Sequence, residues 1–361
     1  MAIFALMKNL SKDAPVLVTG ASGYIASWLV RYLLEDGFIV RGSVRSLRDP
    51  EKTEHLQRLS EQFPGKLTLH EADLLKEGSF DQAAKGCSVV YHTASPFVIG
   101  KIKDPQRTLV DPAVGGTRNV LGAASKSGTV QRVVLTSSIA SVYGDPADIR
   151  KTATGVFTEL DWNTSSSLTH EPYSYSKVMA EKEAWKCWSE QETWDLVVVN
   201  PGFVLGPSLS KRIDGASISF MLDNLKGKYK GGTIGLYMSQ VDVRDVARTH
   251  FFAGTKPEAK GRYLCCAVDI NLLEMAQHME QEFPGKFALP KKLVPKPLLY
   301  LAAPFLGRTW KFVTRSIGIP FPTDGTRCTR EFGFTYRPLS ETYRDHVNQL
   351  LADGLVKPGK A

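Results

Sequence analysis

The chain has 361 residues, 43% of them hydrophobic, and a formal net charge of +8, which allows a large core and excludes a disordered polyelectrolyte. Lys and Arg run along the whole chain without a base-stacking platform or a helix-turn-helix pattern beside them, which excludes nucleic acid as a partner and suits an anionic cofactor. The five cysteines show no C-x-x-C and no metal-ligand spacing, so no metal is expected and the thiols read as reduced. The longest apolar stretch, Leu298 to Leu306, falls far short of the ~20 residues of a spanning helix, and Met1 to Met7 lacks the basic lead of a secretory signal, so a cytoplasmic protein without an integral span is expected.

Residues 1–14 read as an N-terminal extension. Val16 to Leu29 then reads as strand, glycine turn and helix: an apolar β-branched run ends at Thr19, Gly20 and Gly23 permit close backbone approach, and Ile25, Leu29, Val30, Leu33 and Leu34 recur at helical spacing until Gly37. The free amides of Ser22, Gly23, Tyr24 and Ile25 and the positive end of the helix dipole suit a pyrophosphate. Strands are predicted at Phe38 to Arg45, Leu67 to Glu71, Ser88 to Thr93, Arg132 to Thr136 and Leu196 to Asn200. Between them lie helices containing Leu56, Leu59 and Phe63, from about Thr108 to Ser125, and from Tyr173 to Ser189. Such alternation predicts βαβ crossovers, hence an α/β fold of Rossmann type: a doubly wound parallel sheet over residues 15–206, with the ligand at the carboxyl edge of the strands. Residues 236–268 are expected to return to that domain. A smaller C-terminal substrate-binding region is expected from residues 207–235 and 269–361.

Each strand end then has a chemical reading. The second strand ends at Arg45, where an NAD enzyme would carry a carboxylate for the ribose hydroxyls; Arg45 and Lys52 favour the 2′-phosphate of NADP(H), with NAD(H) the weaker expectation and Asp49 the one competing ribose acceptor. Asp73, followed by Leu74, can accept from the adenine amino group or cap the next helix. Thr93, Ala94 and Ser95 are small enough to leave room for ribose and nicotinamide, and His92 reads as a packing histidine.

Thr136, Ser137 and Ser138 close strand five, and 35 residues after Ser138 stands Tyr173, with Lys177 one helical turn further. A free phenol has a pKa of about 10, too high for ready proton transfer, and a nearby ammonium favours the phenolate. Lys177 can also hold the ribose, while Ser138 hydrogen-bonds the substrate oxygen. The constellation predicts a carbonyl that receives hydride at carbon from NADPH and a proton at oxygen from Tyr173, with the reverse oxidation allowed. Tyr175 is the rival phenol, but it lies on another helix face.

The stretches 19–29 (TGASGYIASWL), 72–81 (ADLLKEGSFD), 92–96 (HTASP), 134–138 (VLTSS) and 173–181 (YSYSKVMAE), with VDVRDVA at 241–247 and GRY at 261–263, resemble the extended short-chain dehydrogenases/reductases of the NAD-dependent epimerase/dehydratase superfamily, in the branch of dihydroflavonol 4-reductases and cinnamoyl-CoA reductases. The resemblance implies Ser138, Tyr173 and Lys177 as catalytic triad, Arg45 and Lys52 at the 2′-phosphate, and Pro201, Gly202, Phe203 and Val204 passing the nicotinamide. Cinnamoyl-CoA reductases carry Asn-Trp before the tyrosine where this chain has Glu171-Pro172, and plant dihydroflavonol reductases place an asparagine where it has Tyr143. What transfers is the reaction type.

The partner is therefore expected to be a small, apolar carbonyl or alcohol compound, lined by Ser95, Phe97, Ile139, Tyr143, Phe203, Phe220 and Met221, in a monomer or homodimer. Two expectations stand for residues 291–321, which mix apolar and basic side chains: a lid helix pair over the pocket, or peripheral contact with a membrane surface, as in enzymes resembling 3β-hydroxysteroid dehydrogenases. Nucleotide-sugar epimerases and non-catalytic NADP sensors are the remaining alternatives. Sugar dehydratases carry Asp-Glu where this chain has Ser137-Ser138, and a sensor would be expected to lose Tyr173 and Lys177.

Overall fold

A computed structural model describes residues 10–95 and 103–359. The first half alternates as its sequence predicts: β1 (Val16–Thr19), α1 (Tyr24–Glu35), β2 (Val40–Val44), α2 (Pro50–Gln62), β3 (Leu67–Glu71), a one-turn α3 (Asp81–Ala84), β4 (Val89–His92), α4 (Asp111–Ser127), β5 (Arg132–Thr136), α5 (Pro172–Ser189) and β6 (Asp195–Pro201). The helix expected from Thr108 starts instead at Asp111, after a wide π turn over Gln106–Val110, with Pro112 in its first turn, where the missing N–H leaves no bond unmade.

Beyond β6 the chain builds β7 (Phe203–Leu205), α6 (Ala216–Leu225), β8 (Tyr237–Asp242), α7 (Val243–Thr255), β9 (Gly261–Cys265), β10 (Val268–Asn271), α8 (Leu272–Glu282), α9 (Lys296–Ala302), α10 (Trp310–Ser316), α11 (Thr326–Phe332) and α12 (Leu339–Ala352). The large sheet runs β3-β2-β1-β4-β5-β6-β9 with every pairing parallel. Its strands are apolar on both faces because helices cover both: Val16 and Val18 pack under α1 and α7, while Leu17 packs on the opposite side with residues of α4. This is a doubly wound Rossmann-type fold, and its order reverses between β1 and β4, which opens the ligand crevice at Gly20 and Ala94.

A second sheet, β10-β8-β7, pairs β7 with β8 parallel and β8 with β10 antiparallel. Within residues 236–268, α7 and β9 lie on the large sheet and β8 on the small one. The small sheet is covered by α6, α8 and α12 in a separate core around Leu205, Met275, Met279, Tyr343 and Leu350. Met221 of α6, expected to line a substrate pocket, is fully buried in that core. No helix among the described residues is long and apolar enough to cross a membrane.

Candidate active site

The glycine turn after β1 is built for close approach. Gly20 adopts φ +63°, and a Cβ there would lie 3.0 Å from the Cα of Ala94 at the end of β4. Its N–H donates to the Ser43 hydroxyl at 3.1 Å, and Ala21 N–H donates to the Ser43 carbonyl at 2.8 Å, which pins the turn to β2. Helix α1 starts at Tyr24 with no side-chain cap, so its first-turn amides remain for a ligand over the turn. The Tyr24 hydroxyl instead donates to Gly206 O at 2.5 Å. These residues fit the phosphates of a dinucleotide.

Arg45 stands exposed at the end of β2. Lys52, in the first turn of α2, pairs with Asp49 at 2.5 Å, and that bond holds the Asp49 carboxyl below the usual carboxylate range. Asp49 is therefore engaged by a cation and poorly placed to serve as ribose acceptor. Asp73 accepts from Leu75 N–H at 2.9 Å with one oxygen, the turn-capping alternative of the sequence reading. Leu74 borders the crevice near Gly116, together with Ala94 and Ser95.

Helix α5 begins unusually. Glu171, just before Pro172, holds the left-handed φ of 50° that a side chain seldom adopts. Its carboxylate accepts from Arg308 at 3.2 Å, and the neighbouring His170 Nε2 lies 2.7 Å from Asp145 Oδ1. This joint projects Tyr173 outward, 41% exposed. One turn on, Lys177 Nζ lies 5.7 Å from the Tyr173 ring centroid and donates to Ser95 Oγ at 2.8 Å. Ser138 caps the short helix Ile139–Ser141, its hydroxyl accepting from Ala140 N–H at 3.1 Å, and α5 packs on that helix. Thus Ser95, Tyr173 and Lys177 meet at the end of β4, with Ser138 at the end of β5.

His92 behaves as a packing residue: buried, 3.0 Å from Thr19 Oγ1, and pushed down to about 3 by burial and by Lys177. Thr93 donates its hydroxyl to Thr19 O. Thr136 and Ser137 border the crevice with Ala94, Ser95 and Lys177, while the Thr136 hydroxyl is bound to His250 Nε2 at 2.7 Å and the Ser137 hydroxyl donates to Glu181 at 2.6 Å. Pro201 and Gly202 cross from β6 to β7, where Gly202 N–H donates to Cys265 O at 3.0 Å; Val204 is buried, and Phe203 packs edge-on to Phe220 at 5.1 Å. Ile139 is partly buried beside the aromatic cluster in which Tyr143 stacks on Phe157 at 4.6 Å and meets Phe321 at 4.8 Å. That packing, rather than a free face, holds the Tyr143 ring, and burial pushes its phenol up. Phe97 and residues 1–9 lie outside the described residues.

Sequence reasoning passed over two features. Glu181, fully buried, binds Ser137, Ser141 at 2.5 Å, Asn200 at 2.8 Å and Arg262 at 2.7 Å. Its place in the 173–181 motif was the available signal. Arg212, on the loop after β7, donates to Ser22 O at 3.2 Å and flanks, with Lys52, Arg58 and Lys211, a cleft of about 600 Å³ against α2. Nothing local announces a contact spanning that much of the chain.

The sequence model of the NAD dependent epimerase/dehydratase family matches residues 16–266. The chain is 42% identical to cinnamoyl-CoA reductase 1 of Petunia hybrida over 354 residues, covering 96% of this chain and 95% of the relative. It is 39% identical to tetraketide alpha-pyrone reductase 1 of Arabidopsis thaliana over 343 residues, covering 94% and 96%. Among solved structures, Gre2 of Candida albicans in complex with NADPH superposes with a TM-score of 0.77 at 28% identity, covering 94% of this chain and 99% of that one.

Proposed function

The chain belongs to the NAD dependent epimerase/dehydratase family and is an NAD(P)-dependent reductase of the extended short-chain dehydrogenase/reductase type; from that premise we propose that it reduces a small apolar ketone or aldehyde with NADPH, using Ser138, Tyr173 and Lys177. The cofactor, when bound, supplies the hydride that forms the new C–H bond. The chain's own residues do the rest. Ser138 donates a hydrogen bond to the carbonyl oxygen and orients it. Tyr173 transfers its phenolic proton to that oxygen as negative charge builds there, becoming a phenolate. Lys177, tethered through Ser95, stabilises that phenolate and holds the ribose hydroxyls, so that one ammonium serves both chemistry and positioning. Solvent returns the proton to Tyr173.

The observation that carries this reading is the placement of Lys177 between the Tyr173 ring and Ser95 at the switch point of the sheet. NADP selection is supported by Arg45 at the end of β2 and Lys52 in the first turn of α2, with Asp49 engaged by Lys52. An apolar substrate is supported by Phe203 and Phe220 beside the β6–β7 crossing and by relatives named as reductases of cinnamoyl-CoA and of tetraketide alpha-pyrones. Following NADPH absorbance with a panel of aromatic and alicyclic ketones and aldehydes tests it. Tyr173→Phe is expected to lower kcat by about 10²–10⁴ with folding intact; full activity in that variant overturns the proton-donor role.

A further inference from the structure

Cations are spread along this chain, but anions are not. Between Gly285 and Thr323 there are seven Lys and Arg and no Asp or Glu, so this segment accounts for nearly all of the net charge of +8. It folds into α9, a 3₁₀ continuation over Ala303–Leu306, and α10. The inner face is committed to the protein: Leu299, Ala303, Phe312, Val313 and Ile317 form their own core with Leu236 and Val294. Arg315 reaches inward to Asp145 and Asp148, both at 2.7 Å.

The outer face is unlike the rest of the surface. Leu298, Leu301 and Phe305 follow one helical face and are 54%, 72% and 92% exposed, and Trp310 is 66% exposed. The Trp310 indole N–H donates to Tyr300 O at 3.1 Å, which folds α10 back against α9 and brings these side chains onto one surface. A phenyl ring that is 92% exposed projects from the molecule rather than lining a recess. Lys291, Lys292 and Lys311 stand exposed beside this ridge, and among the described residues none of them forms an ion pair.

We propose that this ridge docks on an anionic lipid surface, with Leu301, Phe305 and Trp310 entering the headgroup layer and Lys291, Lys292 and Lys311 meeting lipid phosphates and carboxylates. Projecting apolar tips framed by cations of one sign match the interfacial mode of membrane binding, with Trp310 an amphipathic anchor. A second copy of the chain fits poorly, because a two-fold contact would set one acid-free cationic surface against another. The proposal does not depend on the reaction assigned above.

Co-sedimentation of the full chain with vesicles of phosphatidylcholine alone, or with roughly one-third phosphatidylserine added, tests it. Binding is expected only with the anionic vesicles and should weaken sharply at about 0.5 M salt. The pair Leu301→Glu/Phe305→Glu, and separately Lys291→Glu/Lys292→Glu, should each lower vesicle partitioning at least about tenfold, with NADPH oxidation in solution unchanged. Trp310→Phe should remove most of the tryptophan fluorescence change that vesicles induce. No sedimentation with anionic vesicles, or sedimentation indifferent to Leu301→Glu/Phe305→Glu, overturns the proposal. So does a concentration-dependent dimer in analytical ultracentrifugation that those substitutions abolish, since it assigns the ridge to a second copy.

Discussion

Arg262 Nε lies 2.7 Å from Glu181 Oε1 with both side chains withdrawn from solvent, one at the start of β9 and the other on α5, a turn beyond Lys177. Around this pair the Ser137 and Ser141 hydroxyls and the Asn200 amide all converge on Glu181, and Asn200 also donates to Ser138 O at 3.2 Å. The helix that presents Tyr173 and Lys177 is thereby fastened to the ends of β5 and β6 by one carboxylate.

Removing one partner of such a pair strands a buried charge. Glu181→Gln is expected to destabilise the fold by about 3–5 kcal/mol, read as a lowered denaturant midpoint. The double variant Glu181→Leu/Arg262→Met should recover only the part of that loss due to the stranded charge and leave kcat depressed, because Ser137, Ser141 and Asn200 lose their common acceptor. Wild-type kcat in the double variant would remove Glu181 as a positioning residue.

Cofactor selection and cofactor affinity should separate. Arg45→Asp is expected to shift the NADPH/NADH ratio of kcat/KM toward NADH by roughly 10- to 100-fold, since it exchanges a charge-assisted contact for a repulsion. Arg212→Ala, at the carbonyl of Ser22, should instead raise KM for both cofactors alike. Steady-state kinetics with the two cofactors checks both; an unchanged ratio in Arg45→Asp takes Arg45 out of the site.

Acid should unfold this protein through its histidines. Burial pushes His250 from 6.5 to about 4, and it pushes His92 to about 3, with Lys177 contributing; His55 falls to about 4 and His346 to about 3 for the same main reason. Their folded-state affinities for protons are depressed, so the unfolded chain binds more protons below about pH 6.5. Stability is fully present above that pH and is lost as the pH falls toward 4, by up to about 1.4 kcal/mol per unit for each histidine. Denaturant titrations across this window should show that slope, and His250→Gln should reduce it by one histidine's share.

The Tyr91 hydroxyl is buried with no partner among the described residues, and a Cβ on Gly254 of α7 would lie on top of it, at 2.1 Å. Gly254→Ala is expected to cost about 1–3 kcal/mol by overpacking, and Tyr91→Phe to be neutral or stabilising because it removes an unsatisfied polar atom. Thermal melts of the single and double variants check this: the ring carbons Cζ and Cε1 lie at 2.4 and 2.5 Å from the same Cβ position, so Tyr91→Phe should leave most of the Gly254→Ala penalty in place.

Local pattern was sufficient where the determinant is local. The β3 and β5 boundaries, the glycine turn at Gly20 and the one-turn spacing of Tyr173 and Lys177 were all legible in the sequence, because period-two and period-3.6 repeats and the steric freedom of glycine act within a few residues. The alternation of those elements also determined the parallel doubly wound sheet, since βαβ connections admit little else. Only the tertiary structure decided which way the side chains at the strand ends turn. Thr136 and Ser137 face His250 and Glu181, and Met221 enters the core of the small sheet, because their partners come from α5, α7 and α8. The contacts of Arg212 with Ser22, Arg262 with Glu181 and Arg308 with Glu171 likewise join segments far apart in the chain. No sequence window contains both members of such a pair, so the sequence could name the chemistry of each residue but only folding could bring them together.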